Sequence, residues 1–251
     1  MQPYFLPYIG YFQAINEVDK YILYENLSFI KDAWMNRNNL MLNSGLLSMF
    51  SVPLLAKTSN EYIRNIKIDN SKKWSEKILK TILFNYKKSA FFDETYPLME
   101  ELLQENHEYL YQLNAFTIIS ISEYLDIQTE IVFDNKKYLV VEEQLRKIEQ
   151  NDFSAFPYLN KTKPDKKTAR VIVMCKMEGA NLFINAIGGQ DLYSKEEFAQ
   201  YDIDLKFIKM DSDIDYSQFS KEFIKNLSII DVLMHNGKEG TKQLLKRYTL
   251  I

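Results

Sequence analysis

Met1-Gln-Pro-Tyr-Phe-Leu-Pro-Tyr-Ile-Gly-Tyr-Phe12 opens the chain and runs through Gln13-Ala-Ile-Asn16 towards Lys20-Tyr-Ile-Leu-Tyr-Glu25. Pro3 and Pro7 fix φ and remove two amide donors, so regular structure ahead of Tyr8 is limited to a strand end. Residues 10–16 read as a short helix, and 20–25 as a short, β-prone buried strand. A strand end, a proline, a helix and a strand in this order begin an α/β arrangement. A natural start a few residues upstream is expected to supply most of a first strand.

Working outward, 47–53 and 62–69 read as further strands, with Ile63, Ile66 and Ile68 breaking strict alternation at a bulge or bend. The period changes at residue 72. Trp74, Ile78, Ile82 and Tyr86 recur every four residues and give a helix one apolar face. Leu98, Leu102, Leu103 and Leu110 continue that theme, predicting two or three helices before residue 126. A strand over 129–133 and a charged helix over 141–149 follow. The run 161–167 is charged and contains a proline, which reads as a solvated connection. Arg170-Val-Ile-Val-Met-Cys175 is the cleanest strand pattern of the chain. Ser194 with Glu197 three residues later predicts a capped helix over 194–201. Residues 205–208 read as a strand, and 228–235 as a helix capped by Ser228 and ended by Gly237. The sum is one α/β domain over 1–251, with a mainly parallel, Rossmann-like sheet and a helical insertion at about 72–126.

Composition narrows the function classes. Forty-six per cent of the 251 residues are hydrophobic and the net charge is −3. A dedicated nucleic-acid binder is strongly basic, so none is expected here. Cys175 is the only cysteine and His107 and His235 the only histidines, so neither an intrachain disulfide nor a structural zinc site is expected. Plentiful acids leave an oxygen-ligand magnesium site open. No apolar run approaches membrane-spanning length and no secretory leader is visible, so the expected location is the cytoplasm.

Three clusters attract chemistry. Gly179, Gly188 and Gly189 fall within eleven residues of a chain with seven glycines, in a run that begins Lys176-Met-Glu-Gly-Ala and includes Asn185. A Gly-Gly turn after a strand presents amides to an anion; two ordinary turns are the alternative. In Phe29-Ile-Lys-Asp-Ala-Trp-Met-Asn-Arg-Asn38, Lys31 and Arg37 stand near Trp34, Asn36 and Asn38. Cations and amides beside an indole suit a sugar, phosphate or nucleotide; the alternative is a surface helix anchored by a buried Trp34. The third cluster is the opening stretch itself. His235 reads as a helix-end residue, His107 as structural and Cys175 as a buried strand residue.

Together these pieces resemble the WbqC-like family of bacterial surface-polysaccharide proteins. The resemblance is carried by Gln2 to Gln13, by Val18-Asp-Lys-Tyr-Ile with Tyr24, and by Phe29-Ile-Lys with Trp34 and Asn36-Arg-Asn38. It continues in Gly179-Ala, Ile184-Asn185, Gly188-Gly189, Leu192-Tyr193, Ser228-Ile-Ile-Asp231 and Asn236-Gly237. It implies an enzyme of O-antigen or lipopolysaccharide biosynthesis acting on a nucleotide-linked amino sugar. The implied reaction attaches glycine, another amino acid or an acyl group to the sugar amine. Alternatives are an acyl-CoA-dependent sugar N-acyltransferase and a non-catalytic sugar-binding or scaffold protein of the pathway.

Tyr8-Ile-Gly-Tyr11 is also similar to the His-Ile-Gly-His signature of the nucleotidyltransferase superfamily, which follows the first strand, opens the first helix and holds ATP phosphates. That similarity implies ATP-dependent adenylation, with magnesium. Tyrosines replace both histidines and carry no positive charge, so Lys31, Arg37 or Lys176 would supply it. The implied catalytic residues are Lys31, Arg37 and Asp231, with Asp231 or Glu178 as base. The implied binding residues are Gln2, Tyr4, Tyr8, Gly10, Tyr11, Trp34, Asn36, Asn38, Lys176, Asn185, Gly188 and Gly189. The opening loop and the Gly188-Gly189 loop would then lie at the ends of neighbouring strands.

Overall fold

The computed structural model describes residues 1–55, 61–149, 152–159, 161–162 and 164–251. They form a mixed α/β fold of eight α-helices and three small sheets among the described residues. The chain divides into two compact units: Met1–Asp134 with Asp211–Arg247, and Asn135–Met210 with Tyr248–Ile251.

In the first unit the opening stretch behaves as its prolines dictate. The Met1 carbonyl accepts from Tyr24 N at 2.7 Å, extended chain then gives way to α1 (Ile9–Asn16), and β1 (Lys20–Ile22) follows. β1 pairs in parallel with β4 (Glu130–Val132), Tyr21 opposite Ile131. β2 (Arg37–Met41) and β3 (Leu47–Ser51) form an antiparallel hairpin. Three helices fall within 72–126: α2 (Trp74–Tyr86), α3 (Phe92–Gln104) and α4 (Leu110–Tyr124). The four-residue spacing in α2 does what it predicts, since Trp74, Ile78, Ile82 and Tyr86 are all buried. The last helix of this unit, α8 (Ile229–Leu244), starts at Ser228, whose hydroxyl caps Ile230 N. Gly237 (φ 60°, ψ −169°) kinks α8 and does not end it.

The second unit holds α5 (Lys136–Lys147), α6 (Lys166–Glu178), β5 (Leu182–Ala186), α7 (Lys195–Ala199), β6 (Asp204–Met210) and β7 (Tyr248–Leu250). β5 runs parallel to β6, and β7 antiparallel to it. Ser194 caps α7 by accepting from Glu197 N at 3.2 Å, as its spacing predicts. Ala169, Ile172, Val173 and Cys175 of α6 pack with Leu145, Phe198, Leu205 and Phe207 in one apolar cluster.

The strand expected over 170–175 is therefore a helix. Val-Ile-Val is β-prone, but Asp165 caps Thr168 N at 2.7 Å and Gly179 (φ 66°) closes the other end. Ala169, Ile172 and Val173 then share one buried face, and tertiary burial outweighs local propensity. The segment 62–69 likewise forms no continuous strand. It has a 3₁₀ turn at Ile63–Asn65 and isolated bridges to Ser28, Leu54 and Tyr109. With both lost as strands, the large Rossmann-like parallel sheet is replaced by parallel pairs β1–β4 and β5–β6 and a separate hairpin. Lys163, within the charged run 161–167, lies outside the described residues; α6 already begins at Lys166.

Candidate functional site

Leu6 is the pivot of the first unit. Its φ of 44° is left-handed, a conformation a branched side chain adopts only under constraint. The constraint is visible. The Leu6 carbonyl accepts from Asn38 Nδ2 at 2.7 Å and from Ser228 Oγ at 2.8 Å. The next carbonyl, Pro7 O, accepts from Ile229 N at 2.9 Å. Asn114, buried in α4, donates from one amide nitrogen to Pro3 O at 3.0 Å and Met35 O at 2.8 Å. Three separate pieces of chain thus meet: the opening loop, the 29–38 turn and the first turn of α8.

Asn36 and Asn38 face inward. Asn36 Nδ2 donates to Val52 O at 2.8 Å, and Asn38 spends its amide on Leu6 and Phe5. These two side chains shape the site from beneath. The turn that carries them presents Trp34, 46 % exposed, with the Arg37 guanidinium 6.0 Å from its ring centroid. Lys31 is exposed on the same turn. Arg37 Nη1 lies 3.3 Å from Asp32 Oδ1, and Nη2 donates to the Asp32 carbonyl. This segment is not the surface helix that would have buried Trp34.

Tyr8 occupies the N-cap position of α1 without a side-chain cap. Its ring covers Gly10, where a Cβ would stand 2.3 Å from a ring carbon, so any larger residue there would push the Tyr8 ring aside. Tyr11 OH donates to Gln2 O at 2.9 Å, and Tyr4 OH approaches Gln2 Oε1 at 3.4 Å. Tyr4 and Tyr11 rings lie 5.7 Å apart. Burial raises the pKa of Tyr4, Tyr8 and Tyr11, the last furthest. All three remain neutral phenols, able to donate but not to carry charge.

Asp231 is fully buried. Tyr86 OH donates to Oδ1 at 2.7 Å, and Tyr216 OH and Gln218 Nε2 donate to Oδ2 at 2.7 and 3.2 Å. Burial and then the Asp231 charge raise the pKa of both tyrosines, which keeps their protons on the bonds. His235 Nε2 sits 3.9 Å from Asp231 Oδ1 and makes no hydrogen bond. Burial lowers the His235 pKa, opposed by the Asp231 charge.

Lys176, Asn185, Gly188 and Gly189 belong to the second unit. Lys176 lies in the last turn of α6, not after a strand. Gly188 and Gly189 form a 3₁₀ turn, Ile187–Gly189, directly after β5. A Cβ at Gly189 would meet Asn185 Nδ2 at 2.1 Å, so Asn185 floors this turn. β1 and β5 are in different sheets, so the opening loop and the Gly188-Gly189 turn do not follow neighbouring strands. Cys175 is buried in α6, and that burial raises its pKa to about 12, far from thiolate chemistry.

Sequence reading missed Leu6, Tyr86, Asn114, Tyr216 and Gln218. Asn114 had a signal, a lone amide inside the apolar run from Leu113 to Ile121 that needs partners once buried. Among the described residues, no group of three or more His, Cys, Asp or Glu side chains is placed to hold a metal ion, and no helix is long and apolar enough to cross a membrane.

The model of the WbqC-like protein family matches residues 2–243. The uncharacterized protein Rv1507c of Mycobacterium tuberculosis (strain ATCC 25618 / H37Rv) is 26 % identical over 246 residues, 97 % of this chain and 95 % of that protein. No solved structure matches the chain.

Proposed function

The chain belongs to the WbqC-like protein family, and from that premise we propose that it attaches an amino acid, such as glycine, or another acyl group to the amine of a nucleotide-linked amino sugar in bacterial surface-polysaccharide biosynthesis. One observation carries this reading. Asn114 ties the opening loop to the turn bearing Trp34, Lys31 and Arg37 through Pro3 O and Met35 O. An exposed indole with two long cations on its turn suits a base or sugar ring with its phosphates.

In this reading Trp34 stacks on the ring, while Lys31 and Arg37 balance phosphate charge. The uncapped first amides of α1, beside Tyr8, would take a phosphate oxygen. ATP with magnesium is the proposed activator of the donor carboxylate; the metal would arrive on the nucleotide phosphates, which commonly supply much of its coordination. Adenylation releases pyrophosphate, and the sugar amine then displaces AMP to form an amide. In the second unit, the Gly188-Gly189 turn on Asn185 is a separate candidate for phosphate. Asp231 can act as base only if Tyr216 and Gln218 leave Oδ2. The cytoplasm is the proposed location.

Incubation with ATP, glycine and a dTDP-linked amino sugar, read by mass spectrometry, tests the reaction. An added glycyl mass with AMP release is expected. Failure with every amino acid and acyl donor, together with no binding of ATP, removes the ligase reading. Acyl-CoA outcompeting ATP would transfer the assignment to a CoA-dependent acyltransferase. Sugar-nucleotide binding without any product would leave a sugar-binding protein.

A further inference from the structure

We infer that the exposed face of α2 docks the protein on an anionic lipid bilayer. The inference is independent of the proposed reaction. At 3.6 residues per turn, Lys77, Lys80 and Phe84 of α2 fall within an arc of about 60°, and Lys87 and Lys88 follow directly after its last residue, Tyr86. All five are exposed, and Phe84 is 65 % accessible with Leu83 beside it at 43 %. The opposite face, with Ile78, Ile82 and Tyr86, is buried in the first unit, so the stripe cannot turn inward.

None of these four lysines forms an ion pair among the described residues, although many other lysines of the chain do. Glu76 is the single acid of α2 and lies at the flank of the stripe. The next helix has Asp93 and Glu94 in its first turn. Those acids would be repelled by an anionic surface and so confine docking to α2.

Four unpaired lysines around an exposed phenyl ring ask for two things at once. The ammoniums need an anionic layer, and Phe84 with Leu83 needs an apolar phase directly behind it. A bilayer with anionic headgroups offers both in that order. Nucleic acid offers the charge but no apolar layer behind it to take up Phe84 and Leu83.

Full-length protein is sedimented with vesicles of phosphatidylcholine alone or of equal parts phosphatidylcholine and phosphatidylglycerol. Binding to the phosphatidylglycerol vesicles only, weakened by high salt, is expected. The exposed quadruple variant Lys77→Glu/Lys80→Glu/Lys87→Glu/Lys88→Glu should lose at least about ten-fold in partitioning. Phe84→Ser should lose roughly three-fold. Circular dichroism checks that both fold. No binding to the anionic vesicles, unchanged binding by either folded variant, or tighter binding to an oligonucleotide than to vesicles overturns the inference.

Discussion

Two regions of the first unit share a strand and differ in water. The knot around Leu6, Asn38, Ser228 and Asp231 is buried, and the polar groups of these four residues are hydrogen-bonded within the protein. The turn with Lys31 and Trp34, just ahead of the same β2, is open to solvent, and Arg37 at the first position of β2 is half-buried. In the buried region a lost partner leaves a group unsatisfied, which costs stability. In the open region water replaces a lost partner, so the cost falls on ligand affinity alone. Substitutions should therefore separate folding from binding.

The largest effect is expected from Asp231→Leu. It strands the hydroxyls of Tyr86 and Tyr216 in a buried site, at a cost on the order of 3 kcal/mol. Urea denaturation reads this as a lower midpoint with an unchanged slope. A variant as stable as the parent would mean that water enters the knot in solution and that Asp231 is accessible as a base.

Asn114→Ala should follow, at about 2 kcal/mol, because Pro3 O and Met35 O both lose their donor. It carries a second consequence. The opening loop and the Trp34 turn come untied, so sugar-nucleotide affinity should fall beyond the loss of folded protein. Calorimetric titration with a dTDP-sugar, corrected for the folded fraction, checks it. An unchanged affinity would break the link between the two motifs.

Trp34→Ala reverses the pattern. Stability should stay within about 0.5 kcal/mol, since nearly half of the indole is already exposed. Affinity for the same dTDP-sugar should fall about ten-fold, the scale of one lost aromatic stack. A large stability loss with unchanged affinity would return Trp34 to a purely structural role.

Local signals were legible and long-range ones were not. Pro3, Pro7, the α2 spacing and the Ser194 and Ser228 caps act over a few residues, and their elements formed close to the expected places. Residues 170–175 were misread because Val-Ile-Val weighed more than the caps at Asp165 and Gly179 on either side. The parallel Rossmann-like sheet went with that misreading. At the site, the opening motif and the Trp34 turn stood out by composition. That they meet depends on Asn114, separated from Pro3 by 111 positions, and no local pattern encodes that contact. Tyr86 and Tyr216 reach Asp231 across 145 and 15 positions, so the base candidate could be named from sequence but not its buried environment.

The smallest effect concerns pH and again sets buried against exposed. Burial lowers the pKa of His235, against the Asp231 charge, and of His107, against the Glu105 charge. The unfolded chain takes up a proton on each imidazole near its ordinary value of 6.5, while the folded chain does not. Unfolded protein then binds more protons, so stability is intact above about pH 6.5 and falls as the pH drops towards the lowered folded values. The exposed Asp126 has the opposite kind of site: hydrogen bonds from Lys238 and Lys242 lower its pKa, and its contribution persists until the pH is lower still. Thermal melts from neutral to mildly acid pH should show a decline on the order of 2 °C, and the His107→Gln/His235→Gln variant should lose less over the same range. Parallel declines in the two proteins would mean that both imidazoles already titrate normally in the folded state, and that water reaches His235 beside Asp231.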